Sequence, residues 1–336
     1  MALNMTTFAD ALKQHYTNEK IENMVYKDNP LLAMMSKYEE FGGLNLKLPI
    51  KYGIPQGRSA TFADAQKNKT SSKLKAFLLT RVKNYSLASI DNETIEASKG
   101  NANAFIEAAT TEIDGAIESA TRSLAIAMYG NGSGSLGRTN STYGSTDVAI
   151  TLRQTDDVTN FEVGMVLETS PSADGGFGAK SRVGGNLSAT NYNQVDAVNR
   201  DTGVITISQA FASTSAAGDY IHQYGDRVAT AADALRMSGL DAWVPSAAPT
   251  ATLFFNVDRS VDPTRLGGIR FAGGSLPLEE ALIGAASRVA REGGKPDVCF
   301  MNYSNFADLE KALGSKVSYV DVKINPQIGF RGILIH

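Results

Sequence analysis

The sequence predicts a mixed α+β protein in which one long helix separates an extended N-terminal arm from a β-rich region and a C-terminal α/β region. Apolar residues alternate with polar ones from Leu44, recur at helical spacing between residues 101 and 129, and then fall into short runs separated by turns. The chain has 336 residues, 43% hydrophobic and 20% charged, which suits two or three folding units. These values exclude a disordered or collagen-like chain.

The N-terminal region predicts two helices. The run from Thr7 to Asp10 has the pattern of a helix start and precedes an amphipathic helix in which Phe8, Leu12 and Tyr16 share one face. A second, short helix follows Asn29, which can cap it, and Pro30, which suits the first turn.

A long two-stranded arm is predicted next. One strand runs from Leu44 to Tyr52, with Pro49 favouring an edge position, and a second extended run reaches from Lys73 to Ile90. An isolated hairpin is only marginally stable in water. The arm is therefore expected to lie on another surface.

The strongest pattern predicts a helix from Asn101 to Tyr129, roughly 43 Å long, ended by Gly130. Its apolar residues lie on one stripe and several acidic residues on another. A Gly/Ser linker, Gly130–Gly137, leads from it into a small inserted β-domain. That domain is predicted to contain strands at 161–169 and 219–223 and a hairpin of strands 195–198 and 204–207.

The C-terminal region predicts helices at Leu278–Arg291 and 304–313, a short buried strand at 297–301 and a terminal strand at 328–335. The predicted divisions of the chain are an N-terminal arm (1–43), an extended loop (44–90), a long helix (91–130), the inserted β-domain (131–226) and an α/β region (227–336).

The net charge of −3 conceals a strong separation of charge. Residues 44–85 contain nine cations and one acid, a net charge of +8, so the remainder carries −11. The arm could be solvated, could bind nucleic acid, or could dock on an acidic surface of another copy. Few aromatics accompany its cations, which disfavours nucleic acid, and we favour docking. The predicted contact residues are Lys47, Lys51, Arg58, Lys67, Lys69, Lys73 and Lys75, with Glu107, Asp114 and Glu118 as the acidic docking stripe.

No catalytic, metal or cofactor site is predicted. The chain has one cysteine, Cys299, and three scattered histidines, of which His222 is interpreted as structural or at the surface. The run Gly132–Gly137 matches the GxGxxG dinucleotide pattern, but it follows a helix where the pattern requires a strand. We interpret it as a linker, and an α/β nucleotide-binding enzyme using this loop remains the alternative from another class.

The composition also bears on location. The longest apolar runs are far shorter than the roughly 20 residues of a membrane span, and no secretory signal begins the chain. The protein is expected to be made and used on the cytosolic side, with no membrane partner.

The order of these parts resembles the major capsid proteins of tailed bacteriophages, which share the Hong Kong 97 fold. In that resemblance residues 28–35 correspond to the N-terminal arm, 44–90 to the extended E-loop, 92–129 to the spine helix of the peripheral domain, and 227–336 to the axial domain with the first closing peripheral strands. Residues 131–226 have the character of an insertion. The run Gly294–Asn302, which reads GKPDVCFMN, Trp243 and the run Asp258–Asp262 are similar to sequences of the family.

The resemblance implies a structural protein that self-assembles into hexamers and pentamers of an icosahedral head around double-stranded DNA, bound without sequence specificity. It implies assembly in the bacterial cytoplasm, location in the virion, and a separate scaffolding protein, a portal and an optional decoration protein as partners. An encapsulin-type compartment shell is the alternative with the same fold. The closing strands that follow in the family are not present after Ile335, and no crosslinking chemistry is assigned to the lysines.

Overall fold

The computed structural model describes residues 30–36, 38, 41–89, 102–144, 146–171, 175–177, 193–211, 215–227, 234–314 and 334–335. It confirms the α+β class. The chain divides into two compact units, one within Met1–Leu48 and Leu78–Trp243 and the other within Pro49–Phe77 and Val244–His336. The predicted amphipathic helix carrying Phe8 lies outside the described residues.

The N-terminal part of the described chain contains a short helix and the predicted hairpin. The elements are α1 (Pro30–Met34), β1 (Asn45–Gly53), α2 (Phe62–Lys67) and β2 (Lys73–Thr80), and β1 and β2 form a two-stranded sheet. β2 ends at Thr80, ten residues before the predicted end. After β2 the chain bonds to other partners: the Arg81 guanidinium donates to the Phe41 carbonyl and lies over the Phe41 ring, and the Ser86 hydroxyl donates to the Ala116 carbonyl oxygen at 2.9 Å.

The short helix α2 at the turn of the hairpin was not predicted, although its signal is in the sequence. Thr61 is its N-cap: the Thr61 Oγ1 accepts from the Asp64 backbone N–H at 3.3 Å and donates to the Asp64 carboxylate at 2.7 Å. A threonine followed three residues later by an acid is a helix-start pattern. This helix-start pattern lies in a loop between two strands, and the alternation of apolar and polar residues in those strands is the stronger local signal.

The long helix α3 (Ala102–Tyr129) has 28 residues, about 42 Å at 1.5 Å per residue, and agrees with the prediction within one residue at its start. Between residues 112 and 129 only Met128 is fully buried, and the other apolar side chains of that stretch are half-buried or exposed. Within the described part of the chain, no helix is long and apolar enough to cross a membrane.

The region after α3 folds into six short antiparallel strands. They are β3 (Ser135–Arg138), β4 (Ala149–Thr151), β5 (Leu167–Ser170), β6 (Val195–Asn199), β7 (Val204–Ile207) and β8 (Tyr220–Gln223). Hydrogen bonding gives two sheets, β3-β8-β5 and β4-β7-β6. The β6–β7 hairpin agrees with the prediction, whereas β5 begins six residues later than expected because a 3-10 helix, Thr155–Asn160, and a turn precede it.

Bridges at both sides join the two sheets into a closed barrel. Between β5 and β6, the Val195 N–H donates to the Met165 carbonyl at 2.8 Å; between β3 and β4, the Arg153 N–H donates to the Arg138 carbonyl at 2.8 Å. The strand order is therefore β3-β8-β5-β6-β7-β4 and back to β3. Closure leaves no unpaired sheet edge along these strands.

The barrel holds the main hydrophobic core of the described residues. Twelve buried side chains form it: Leu136, Tyr143, Ile150, Leu152, Val158, Phe161, Leu167, Val195, Ile205, Ile207, Phe211 and Ile221. On β4 and β7 alternate residues, Ile150, Ile205 and Ile207, are buried in the core, as a period of two requires, whereas all four residues of β5 are buried. After β8, the helix α4 (Leu240–Trp243) completes the described part of this unit.

The second unit combines short strands and helices with few buried side chains. Its elements after the hairpin are β9 (Leu253–Phe254), β10 (Val257–Asp258), α5 (Pro263–Gly267), α6 (Leu278–Arg291), β11 (Val298–Cys299), α7 (Tyr303–Gly314) and β12 (Leu334–Ile335). β11 and β12 pair in parallel, and α6 has the predicted bounds. Among the described side chains of these two helices, one is buried in each: Ala286 in α6 and Leu309 in α7.

Candidate interaction surfaces

The seven predicted contact cations all lie on the hairpin and all are exposed. Strand alternation places Lys47 and Lys51 on one face of β1, and Lys73 and Lys75 on one face of β2. The others surround the turn: Arg58 precedes α2, Lys67 ends it and Lys69 follows it. Lys67 has an exposed partner in Asp64 at 3.6 Å, an arrangement that contributes little in water.

Most side chains of the hairpin are exposed to solvent. Between residues 45 and 80, Phe77 is the one fully buried side chain, while Phe62 at the turn is 85% exposed and Leu74 is 65% exposed. Two paired strands with two open edges and exposed apolar side chains are a surface that other proteins can cover.

The hairpin is anchored within the second unit at Phe77 of β2 and at Tyr52 of β1. The Phe77 ring meets the Phe254 ring edge to face at 6.4 Å, and the Arg259 guanidinium lies 3.9 Å from the centre of the Phe254 ring. The Arg265 guanidinium also donates to the Tyr52 carbonyl oxygen at 3.1 Å. Phe77 lies in the middle of β2 and Tyr52 lies next to the end of β1, so these contacts hold the two strands at those positions.

Two of the three side chains of the predicted acidic stripe lie within the described residues. Glu118 is exposed on α3, Asp114 is half-buried, and the Glu107 side chain lies outside the described residues. Glu112, which was not predicted as a contact residue, is also exposed on this helix. Sequence reasoning missed Glu112 because it followed the stripe of Glu107, Asp114 and Glu118 and did not consider the adjacent face.

A groove of about 1140 Å³ opens along α3 and against the barrel. Residues at helical spacing, Glu112, Gly115, Ser119, Arg122 and Ile126, form one wall. The opposite wall consists of the glycine-rich loop after α3 and of residues 157–165 before β5. The groove therefore lies within a single unit, beside the acidic part of the helix.

Glu162 joins the helix to the barrel across this groove. Its carboxylate accepts from the Arg122 guanidinium of α3 and, at 2.7 Å, from the Arg200 guanidinium of the β6–β7 turn. Burial alone would raise the pKa of Glu162, but the hydrogen bonds from the two arginines lower it below its usual value. The carboxylate thus stays charged and keeps both guanidinium groups occupied.

The glycine-rich loop is filled by the protein's own side chains. Gly134 has a φ of +78°, and a Cβ there would lie 3.1 Å from Arg236 Cγ and from Asp226 Cβ. A Cβ at Gly132, where φ is +90°, would lie 3.2 Å from the Ser238 hydroxyl. The loop follows a helix and leads into β3, the reverse of the strand-loop-helix order that places a phosphate at a helix N-terminus. Its glycines allow Asp226, Arg236 and Ser238 to pack closely against it.

His222 lies inside the protein, on β8. Its Nε2 is 2.8 Å from the Ser170 hydroxyl of β5, and both side chains have no exposed surface. Burial lowers the pKa of His222 from its ordinary 6.5 to about 4. A serine and histidine with no exposed surface cannot meet a substrate, and their hydrogen bond connects two neighbouring strands.

The described residues contain no cluster of three or more histidine, cysteine or acidic side chains suited to a metal ion. No family model, curated protein or solved structure matches this chain.

Proposed function

We propose that this protein is the major capsid subunit of a tailed-phage head of the Hong Kong 97 type. Copies assemble as hexamers and pentamers into an icosahedral shell around double-stranded DNA. The protein has a structural role and is not an enzyme. It is located in the virion after assembly in the bacterial cytoplasm.

The observation that carries the proposal is the exposed hairpin. A two-stranded sheet is marginal in water without a surface to pack on, and this one buries a single side chain between residues 45 and 80. It combines seven exposed cations with exposed apolar residues, Phe62 and Leu74. A neighbouring subunit would supply the missing surface.

The long helix supports the same proposal from the other side of the contact. Glu112 and Glu118 are exposed on α3, and the apolar side chains of its described part are mostly only half-buried. Acidic and basic surfaces on the same chain allow each copy to be donor and acceptor at once. Such head-to-tail contacts form closed rings when the rotation between copies closes, and charge complementarity sets their specificity.

The contents of the shell follow from the charge balance. The chain outside residues 44–85 carries a net charge of −11, which suits DNA retained by confinement, because each phosphate contact needs a cation. In the host, a separate scaffolding protein and a portal are the further partners of this assembly, and a decoration protein is an optional one. A compartment shell loaded with a cargo enzyme shares the same assembly.

Electron microscopy of the purified protein tests the proposal. We expect closed particles of uniform diameter from the wild-type chain, and only unassembled subunits from Lys67→Glu/Lys69→Glu/Lys73→Glu, which gives acidic groups where the hairpin has cations. The matched control, Lys67→Arg/Lys69→Arg/Lys73→Arg, keeps the charge and should assemble. Assembly should also weaken as salt rises, since exposed charges are screened within about 8 Å at physiological ionic strength.

The other outcomes are informative. Normal particles from the triple glutamate variant would contradict docking through the arm. Particles that contain protein cargo and no DNA would indicate a compartment shell. A chain that forms no particle with or without crowding agents, but binds NAD or ATP in calorimetry, would support the nucleotide-binding enzyme in place of a capsid subunit.

A further inference from the structure

Two arginines of the barrel, Arg138 and Arg153, converge on one space beside Gly218. Arg138 ends β3 and Arg153 follows β4, and the Arg153 N–H donates to the Arg138 carbonyl at 2.8 Å, so the two residues are neighbours across the strands. A Cβ built on Gly218 would lie 3.2 Å from Arg138 Nη2 and 3.3 Å from Arg153 Nη1. Both guanidinium groups therefore border the same small space outside the Gly218 backbone.

The two guanidinium groups keep most of their hydrogen-bond donors for a ligand. Arg138 Nε donates to the Gly218 carbonyl at 2.9 Å, and its guanidinium lies 4.5 Å from the centre of the Tyr220 ring, which fixes its position. A guanidinium has five N–H donors, so those on Nη1 and Nη2 remain. The Arg153 side chain is exposed, and its guanidinium makes no hydrogen bond or ion pair within the part of the chain that the structure describes.

This arrangement differs from that of the other described arginines between residues 102 and 243. Each of those four forms an ion pair with a carboxylate: Arg122 and Arg200 with Glu162, Arg227 with Glu168, and Arg236 with Asp226. Asp219 follows Gly218 directly, but its carboxylate accepts from the Ala216 N–H at 2.8 Å. Two like charges that face one space repel each other, so an anion bound between Arg138 and Arg153 would stabilise both.

The donor set indicates which anion fits. Two guanidinium groups supply two positive charges and planar pairs of N–H donors, a combination that suits phosphate. A carboxylate carries one charge, and a single guanidinium can bind both of its oxygens. A phosphate dianion carries two charges on oxygens that point in different directions, so it can accept from both arginines at once.

We propose that Arg138 and Arg153 form a phosphate-binding site on the barrel, beside Gly218, for inorganic phosphate or the terminal phosphate of a monoester. Arg138 is the ordered half of the site, and the exposed Arg153 closes on the bound anion. Gly218 has a φ of +85° and lacks the Cβ that would fill the space. The site goes beyond the proposed assembly, because it lies within one subunit.

Equilibrium dialysis of radiolabelled inorganic phosphate with the full chain tests the site, at low salt and about pH 8, where phosphate is a dianion. We expect saturable binding of a single phosphate per chain. Arg153→Gln should bind at least about tenfold more weakly, because it lacks the charged donors of one guanidinium. The matched control is Arg288→Gln, which removes an exposed arginine of α6 and should bind phosphate like the wild type. The unfolding midpoint of Arg153→Gln should not move, since that side chain is exposed.

Competition distinguishes the sources of phosphate. Unlabelled phenyl phosphate, a monoester, should displace the labelled phosphate, whereas dimethyl phosphate, a diester with one charge like the DNA backbone, should compete at least about tenfold less well. Equal competition by the diester would overturn the assignment to a dianion. Absence of saturable binding by the wild type, or equal binding by wild type and Arg153→Gln, would overturn the site. Dialysis measures subunits and particles alike, so either result leaves the proposed function untouched.

Discussion

The barrel and the hairpin are both made of short antiparallel strands, and they bury their side chains to opposite extents. The barrel closes on itself, so that every strand has two neighbours and twelve side chains form a core. The hairpin has two open edges and one buried side chain between residues 45 and 80. A closed sheet provides its own packing surface, whereas an open pair of strands needs one from elsewhere. The barrel thus supplies its own packing surface, and the hairpin is the part that the proposed association would complete.

The largest effect expected from this comparison is on stability. Phe161→Ala empties a site with no exposed surface in the barrel core, and such truncations cost about 3–5 kcal/mol. Phe62→Ala, the same change on the exposed hairpin, should alter the stability of the unassembled chain by less than about 0.5 kcal/mol. Chemical denaturation of unassembled protein measures both values. Similar losses for the two variants would show that the hairpin packs on its own chain.

The second expected effect is a pH dependence of stability that arises from His222 in the barrel. The pKa of His222 is about 4 in the folded chain and 6.5 when unfolded, so the unfolded chain binds the proton more readily. Stability is therefore complete above about pH 6.5 and falls as the pH is lowered toward 4, by about 3 kcal/mol. Thermal unfolding at pH 7 and pH 4.5 measures this loss.

The control for the histidine is His222→Gln, which removes the titrating group. The variant should be less stable at pH 7, because the hydrogen bond with Ser170 is altered, but it should lose less stability between the two pH values. An equal loss in wild type and variant would assign the acid sensitivity to other groups.

The sequence predicted the elements whose pattern is long and local. α3 and α6 were predicted within a residue because apolar residues repeat over several turns, and the β6–β7 hairpin because the turn Arg200–Gly203 separates two apolar runs. Closure of the barrel could not be predicted, because it depends on bridges such as Val166 to Gln194 that no local pattern encodes.

The surfaces were predicted less completely than the elements. The seven arm cations are exposed as expected, because a charged side chain on an isolated strand has nowhere to be buried. The groove could not be predicted, since its walls come from residues 112–126, the glycine-rich loop and residues 157–165. Glu162 shows the difficulty: its partners Arg122 and Arg200 lie 40 and 38 residues away.

The smallest expected effect concerns the N-cap of α2, the short helix at the turn of the hairpin. Thr61→Ala removes the cap of α2, and loss of an N-cap costs about 1 kcal/mol of helix stability. No residue of α2 is buried, so the unfolding midpoint of the unassembled chain should not move. If α2 must be helical in the proposed contact with a neighbouring copy, however, the same free energy is lost at each contact. The concentration needed for assembly should then rise about fivefold.

Thr61→Ser is the matched variant, because serine keeps the hydroxyl that accepts from the Asp64 N–H. Light scattering over a concentration series should give Thr61→Ser an assembly concentration close to that of the wild type and well below that of Thr61→Ala. Equal assembly of the two variants would mean that the turn of the hairpin is not bound as a helix. A shift in the unfolding midpoint of unassembled Thr61→Ala would mean that α2 already packs within its own subunit, and the contrast between barrel and hairpin would not hold.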